Sequence, residues 1–341
     1  YPDNDSFIIN NTTKELQSNN VIFNYKTKSE YKILINVSTA TYNDATYNDN
    51  FEITIYISVH GKGRLLDGYI KNATGQLIDL FNDTVIETFT TDNFGEYIVS
   101  TPIESLPAFY EIKFLPGGID ISTGKVIGVT LSNVSTKAAA TITGQSLVDI
   151  TPITSMKSHL AKQTIGSSQD ISEINNGMTK AINDIASTFN IPATNIDTDY
   201  LNAYDIDLVN INNQIQSTIN TLSSVASVSK DNVFTSILNV VSTRIDDFQP
   251  VNLTTSSVIT NVIDNVVDTN DNITVPNSTN VTSYIAAVNT TIDTVSNTAG
   301  TFPEIMANSI QVTVSIVVLT AAMYDVTSVS YTHLTLPTKR I

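Results

Sequence analysis

The chain has 341 residues, 41% of them hydrophobic and 15% charged, with 33 acidic side chains against 17 basic ones and a formal charge of -16. That length allows two or three domains with cores of their own, and the acidic balance has the wrong sign for phosphate backbones or anionic lipid, which argues against nucleic acid as a partner. The absence of cysteine excludes disulfides, thiolate metal sites and cysteine nucleophiles together.

Period-two alternation dominates the first third. Tyr31, Ile33, Ile35 and Val37 fall on one face, and Phe51, Ile53, Ile55 and Ile57 alternate with Glu52, Thr54 and Tyr56, which predicts two half-buried strands. The polar run between them, "STATYNDATYNDN", is long for a hairpin and contains a near-repeat. A second β-rich unit opens at "GKGRLLDG", where two glycines and a basic pair interrupt the pattern. Strands are predicted over 77–80, 87–91, 97–100 and 110–114, with turn chemistry in "TDNFGEY" and "LPGG". Short strands with frequent turns point to a sandwich.

The period changes near residue 150. In "DITPITSMKSHL", Thr151 is a candidate N-cap with Pro152 at the first helical position. Asp170 and Glu173 form a capping-box-like pair ahead of Ile174, Met178, Ile182, Ile185 and Phe189. Helical stripes follow through Ile211, Ile215, Ile219 and Leu222, then Phe234, Ile237, Leu238, Val241 and Ile245. Two more run through Val258, Ile259, Val262, Ile263 and Val266, and through Val281, Ile285, Val288, Ile292 and Val295. Many of these residues are β-branched, so burial rather than intrinsic propensity must hold the helices.

The segment "DNDSFIINNTTKELQSNNVIFNYKTKSEYKILINVST" with the following "NFEITIYI" resembles the later part of a bacterial cadherin-like repeat, over roughly residues 3–57. The resemblance implies a β-repeat whose first strands lie upstream and a calcium-binding habit; Asn24 and Lys26 stand where the family has acidic residues, and Asp3 and Asp5 keep acidic character. Further on, "LLDGYIKNATGQLIDL", "TTDNFGEY", "GGIDISTG" and "DITPITSMKSHLA" resemble a carboxypeptidase-regulatory-like, transthyretin-type β-sandwich with a helical tail, a module of large secreted and adhesin-like bacterial proteins. In "DLFNDTVIE", Asp79, Asp83 and Glu87 occupy positions where family members carry an Asp-rich loop; Phe81 and Thr84 replace a ligand and the turn glycine, so the expected reading is a degenerate calcium loop and no resident cofactor. "GGIDISTG" is expected to be a glycine-bearing turn, because it lacks the lysine and following helix of a P-loop.

Catalytic constellations are not apparent. His60, His159 and His333 share no metal-ligand spacing, and no nucleophile elbow is present. Ser155, His159 and Lys162 lie on one expected helix, pointing along its surface and not toward a common substrate atom. The uncharged run 305–324 is long enough to span a bilayer but contains six polar residues and no basic flank before it, so no membrane insertion is expected. The ending "SYTHLTLPTKRI" resembles a translated sequencing adapter, which implies a non-native tail.

The expected architecture is α+β and multidomain: a truncated cadherin-like repeat over 1–59, a transthyretin-type sandwich over 60–149, an all-α region over 150–326 and the tail over 327–341. The expected role is a non-catalytic structural or adhesive segment of an extracellular or cell-surface protein, with neighbouring domains and a surface polysaccharide or protein ligand as partners. The alternative is an accessory region of a secreted hydrolytic enzyme whose catalytic domain lies elsewhere.

Overall fold

A computed structural model describes residues 4–10, 15–18, 30–38, 48–56, 60–143, 147–270, 273–297 and 302. Asp3, Asn24, Lys26, the run 305–324 and the tail lie outside the described residues. A β-rich N-terminal part is followed by helices, so the α+β architecture expected from the change of period is present.

Strands β1 (Phe7–Ile9) and β2 (Leu16–Ser18) form one antiparallel ribbon, and β3 (Glu30–Ser38) and β4 (Asn48–Tyr56) form another. The β3–β4 register pairs Tyr31 with Ile55, Ile33 with Ile53 and Ile35 with Phe51, so the two alternating apolar sets read from the sequence are cross-strand partners.

The next unit contains β5 (His60–Arg64), β6 (Ile70–Lys71), β7 (Thr74–Asp79), β8 (Thr84–Thr90), β9 (Glu96–Pro102), β10 (Phe109–Phe114), β11 (Gly117–Asp120), β12 (Val126–Ile127) and β13 (Leu131–Thr136). They build a four-stranded sheet in the order β13-β10-β7-β8, a three-stranded sheet β12-β11-β6 and the ribbon β5-β9. Rings of Phe89, Tyr97 and Phe114 fill the space between the four-stranded sheet and the ribbon, with centroids 5.3 to 5.7 Å apart in stacked and edge-on pairs.

β5 departs from expectation, since its two glycines extend a strand where the sequence reading saw an interruption. The inward positions Gly61 and Gly63 are buried; a Cβ on Gly63 would stand 2.6 Å from the Tyr97 hydroxyl, so only glycine admits that ring. The hydroxyl donates to the Val148 carbonyl at 2.5 Å. Residues 147–150 run back beside β5, with Leu147 N donating to Lys62 O and Ile150 N to Arg64 O. The sheet therefore continues past α1 (Lys137–Thr143), a short helix in which Ile142 is 83% exposed and which no apolar stripe announces.

Helices α2 (Pro152–Ile165), α3 (Ile171–Phe189), α4 (Ile206–Ala226), α5 (Lys230–Asp246), α6 (Ser256–Thr269) and α7 (Ser278–Ser296) follow. Their buried faces coincide with the stripes read from the sequence, including Ile174, Ile185, Ile215, Ile219, Val258, Val262, Ile285 and Ile292. The start of α2 is as expected: Thr151 Oγ1 accepts from Thr154 N and Thr154 Oγ1 accepts from Thr151 N, with Pro152 first in the helix. At α3 only half of the expected reciprocal box forms. Asp170 accepts from Ser172 N and Glu173 N, but the Glu173 carboxylate takes the Ser168 hydroxyl instead of returning to Asp170 N.

α4 is buried nearly all round. Asn210, Asn212, Gln214, Ser217, Thr218 and Thr221 are buried along with Ile215 and Ile219. Part of that polarity is satisfied across helices: Asn210 donates to Asp293 at 2.7 Å and Asn289 of α7 donates to Thr218 Oγ1 and Leu253 O. One hydrophobic core runs without a break from Leu65 in the sheets to Ile285 in α7.

Candidate functional site

The junction of the sheets with α2 is where charged and amide side chains concentrate, and the edge strand β13 sets its geometry. An edge strand presents unpaired backbone donors. Here the α2 hydroxyls take them: Ser132 N donates to Ser155 Oγ at 2.9 Å and Val134 N to Ser158 Oγ at 3.0 Å. Ser155 is thus buried against the strand and not on a helix surface as expected. Lys162 reaches Glu111 of β10 at 2.6 Å, and His159 contacts Gln163, so the three side chains do not converge. Partial burial, then Lys162, lowers the His159 pKa.

Between Ser132 and Val134, Asn133 faces the loop after α3. Its Nδ2 donates to the Asp149 carbonyl at 2.8 Å and to Asp197 Oδ1 at 3.0 Å, while its Oδ1 has no partner. Lys157 Nζ reaches the same Asp197 Oδ1 at 2.5 Å. Beside this trio, Arg64 pairs with Asp199 at 2.6 Å, Tyr69 donates to the same carboxylate at 3.2 Å, and the Arg64 guanidinium lies over the Tyr69 ring. The Asp199 hydrogen bond raises the Arg64 pKa. Asp149 accepts from Arg64 N at 2.9 Å, yet burial, followed by the neighbouring carboxylates Asp199 and Asp197, pushes its carboxyl up to about 6.

A second polar cluster lies where the turn after β11 meets α4 and the start of α5. It is a cleft of about 50 Å³ with Asp67, Asp120, Lys125, Gln216 and Lys230 on its walls. Asp120 accepts from Ser122 N, Ser122 Oγ and Thr123 Oγ1, so "GGIDISTG" is the glycine-bearing turn expected, closed by its aspartate. Burial, then the charge of Asp120, drives Asp67 well above the ordinary carboxylate range, against the pull of Lys230 and Gln216. The Gln216 amide lies against Asp67, but its Nε2 finds no acceptor in hydrogen-bonding geometry. The cleft has room for a few waters, well below the roughly 300 Å³ of small ligand pockets.

The calcium-loop candidates are spread over the β7–β8 hairpin. Asp79 accepts from Phe81 N and Asn82 Nδ2, which closes the turn, and Asp83 sits at a left-handed φ of 53°. Glu87 turns toward β9, accepting from Ser100 N, Thr101 N and Thr101 Oγ1 at 2.6 to 2.8 Å. Burial acts upward on its pKa, but those hydrogen bonds hold it below the ordinary value. Asp5 is exposed on a 3-10 turn at 4–6. No group of three or more His, Asp or Glu positioned for a metal occurs among the described residues. Among them, too, no helix is long and apolar enough to cross a membrane.

Sequence reading passed over Asp67, Asp120, Asn133, Lys157, Asp197 and Asp199 as site residues. Their spacings of dozens of positions carry no local signal, and the interior position of Lys157 depends on the sheet laid against α2. No family model matches the chain, and no curated protein or solved structure matches it. The likenesses to cadherin-like and carboxypeptidase-regulatory-like modules therefore rest on the quoted motifs.

Proposed function

We propose that this chain is a non-catalytic structural segment of an extracellular or cell-surface protein, a spacer that transmits load between neighbouring domains and presents a surface for adhesion. The observation that carries this reading is the sheet–helix junction. α2 covers the edge of β13 with two serine hydroxyls, and the ion pairs Lys162–Glu111 and Arg64–Asp199 cross the same boundary. A spacer needs joints that do not open before the modules do, and an edge strand sealed by a helix on a shared core is such a joint. The acidic, cysteine-free composition, rich in uncharged polar residues, suits an extracellular surface, and the secreted-module resemblances point the same way.

Pulling single molecules between residues 60 and 297 tests the reading. The sheets and helices should resist as one cooperative unit. Separation of the helical region from the sheets at a force well below that which unfolds either part would refute the load-bearing role.

A further inference from the structure

Lysine is seldom enclosed completely, because its ammonium gives up hydration. Lys157 is 1% exposed, one turn beyond Thr154 on the side of α2 that faces β13, and Asn133 of β13 is 0% exposed. The two meet on a single oxygen, with Asp197 Oδ1 accepting from Lys157 Nζ at 2.5 Å and from Asn133 Nδ2 at 3.0 Å. The bond from Nδ2 to the Asp149 carbonyl fixes the carboxamide and leaves its Oδ1 unpaired in the interior. A buried orphan oxygen calls for an explanation. Amine, carboxamide and a carboxylate touching both are the components of amide formation: a nucleophile, an acyl carbon with a leaving group, and a group to move protons.

We propose that the folded chain joins Lys157 to Asn133 through an isopeptide bond, with Asp197 as the catalytic residue that relays the protons. Asp197 takes one proton from the Lys157 ammonium, which frees the Nζ lone pair to attack Cγ of Asn133. The Nζ–Cγ bond forms and the Cγ–Nδ2 bond breaks; a second Nζ proton, passed through the same carboxyl, goes to Nδ2, which leaves as ammonia. Released to water, ammonia takes up the remaining proton as ammonium, and Asp197 returns to its carboxylate. No electron transfer and no co-reactant are needed. The Asp197 side chain is 38% exposed and lies at the edge of the interior, which gives the leaving group a way out. The product replaces a buried ammonium with a neutral amide, removing the desolvation cost of that charge. It also makes the β13–α2 junction covalent.

Denatured intact mass and peptide mapping of the full chain test the bond. The wild-type mass should fall short of the sequence by one ammonia, and the tryptic map should contain a branched peptide in which Lys157 carries the Asn133 fragment, with no cleavage after Lys157. Lys157→Met and Asp197→Asn should each show the full mass and lose the branched peptide completely. Asp197→Asn keeps a side-chain oxygen for the Asn133 amide and isolates the proton relay, with circular dichroism checking that it folds. The wild-type map decides the bond however the variants fold. A full wild-type mass, or loss of ammonia without the branched peptide, as a succinimide at Asn176 would give, overturns the proposal; a branched peptide undiminished in Asp197→Asn overturns the role of Asp197.

Discussion

Replacing Asp149 with asparagine should stabilise this protein at neutral pH and leave it nearly unchanged at pH 4. The carboxyl accepts from Arg64 N, and an asparagine Oδ1 can keep that bond, so the substitution removes the charge and not the contact. Burial raises the folded-state value to about 6 from an ordinary 3.8. The native state therefore holds a proton between those values that the unfolded chain has released. For a carboxyl displaced upward, the sign is that stability falls as pH rises from about 4 to about 6 and stays flat above. At about 1.4 kcal/mol per pH unit, the interval amounts to roughly 3 kcal/mol lost by pH 7, an upper figure because water entering the junction lowers it. Urea denaturation of both proteins at pH 4 and pH 7 reads this directly. The variant should gain up to about 3 kcal/mol on wild type at pH 7, and most of that difference should vanish at pH 4. Parallel pH dependences would refute the account of Asp149 as a proton-holding buried carboxyl.

Further expectations concern single contacts. Lys162→Ala leaves the buried Glu111 carboxylate without its partner and should cost about 1–3 kcal/mol, whereas Lys180→Ala removes the exposed pair with Asp184 and should cost less than about 0.5 kcal/mol; equal losses in urea titrations would contradict the burial argument. Thr151→Ala removes the reciprocal cap of α2 and should destabilise by about 1–2 kcal/mol in the same assay, and a neutral outcome would mean that the cap is replaceable. Calcium should not raise the melting temperature relative to chelator, because Glu87 is held by β9 and Asp79 by its own turn; a site present at 100 times its dissociation constant would add about 2.7 kcal/mol, which calorimetry would detect.

The elements that the sequence alone determined are those whose cause is local. Period 3.6 in Ile174–Phe189 and in the later stripes, the Thr151-Pro152 start, and the alternation of Tyr31–Val37 against Phe51–Ile55 each specify an element from neighbours a few positions away, and each is present in the structure. Tertiary structure decided the rest. The glycines of "HGKGR" become a strand because Tyr97 packs over Gly63 and Leu147 over Gly61, and residues 147–150 extend the sheet because β5 offers its edge. The polar residues of α4 are buried because the surrounding helices enclose them, which the apolar stripe of Ile211, Ile215, Ile219 and Leu222 does not announce. Lys157 in "SMKSHLAK" has the local pattern of an exposed helix residue. Burial is a property of what lies opposite, and the strand bearing Asn133 and the loop bearing Asp197 come from separate parts of the chain, so no spacing in the sequence brings the three together.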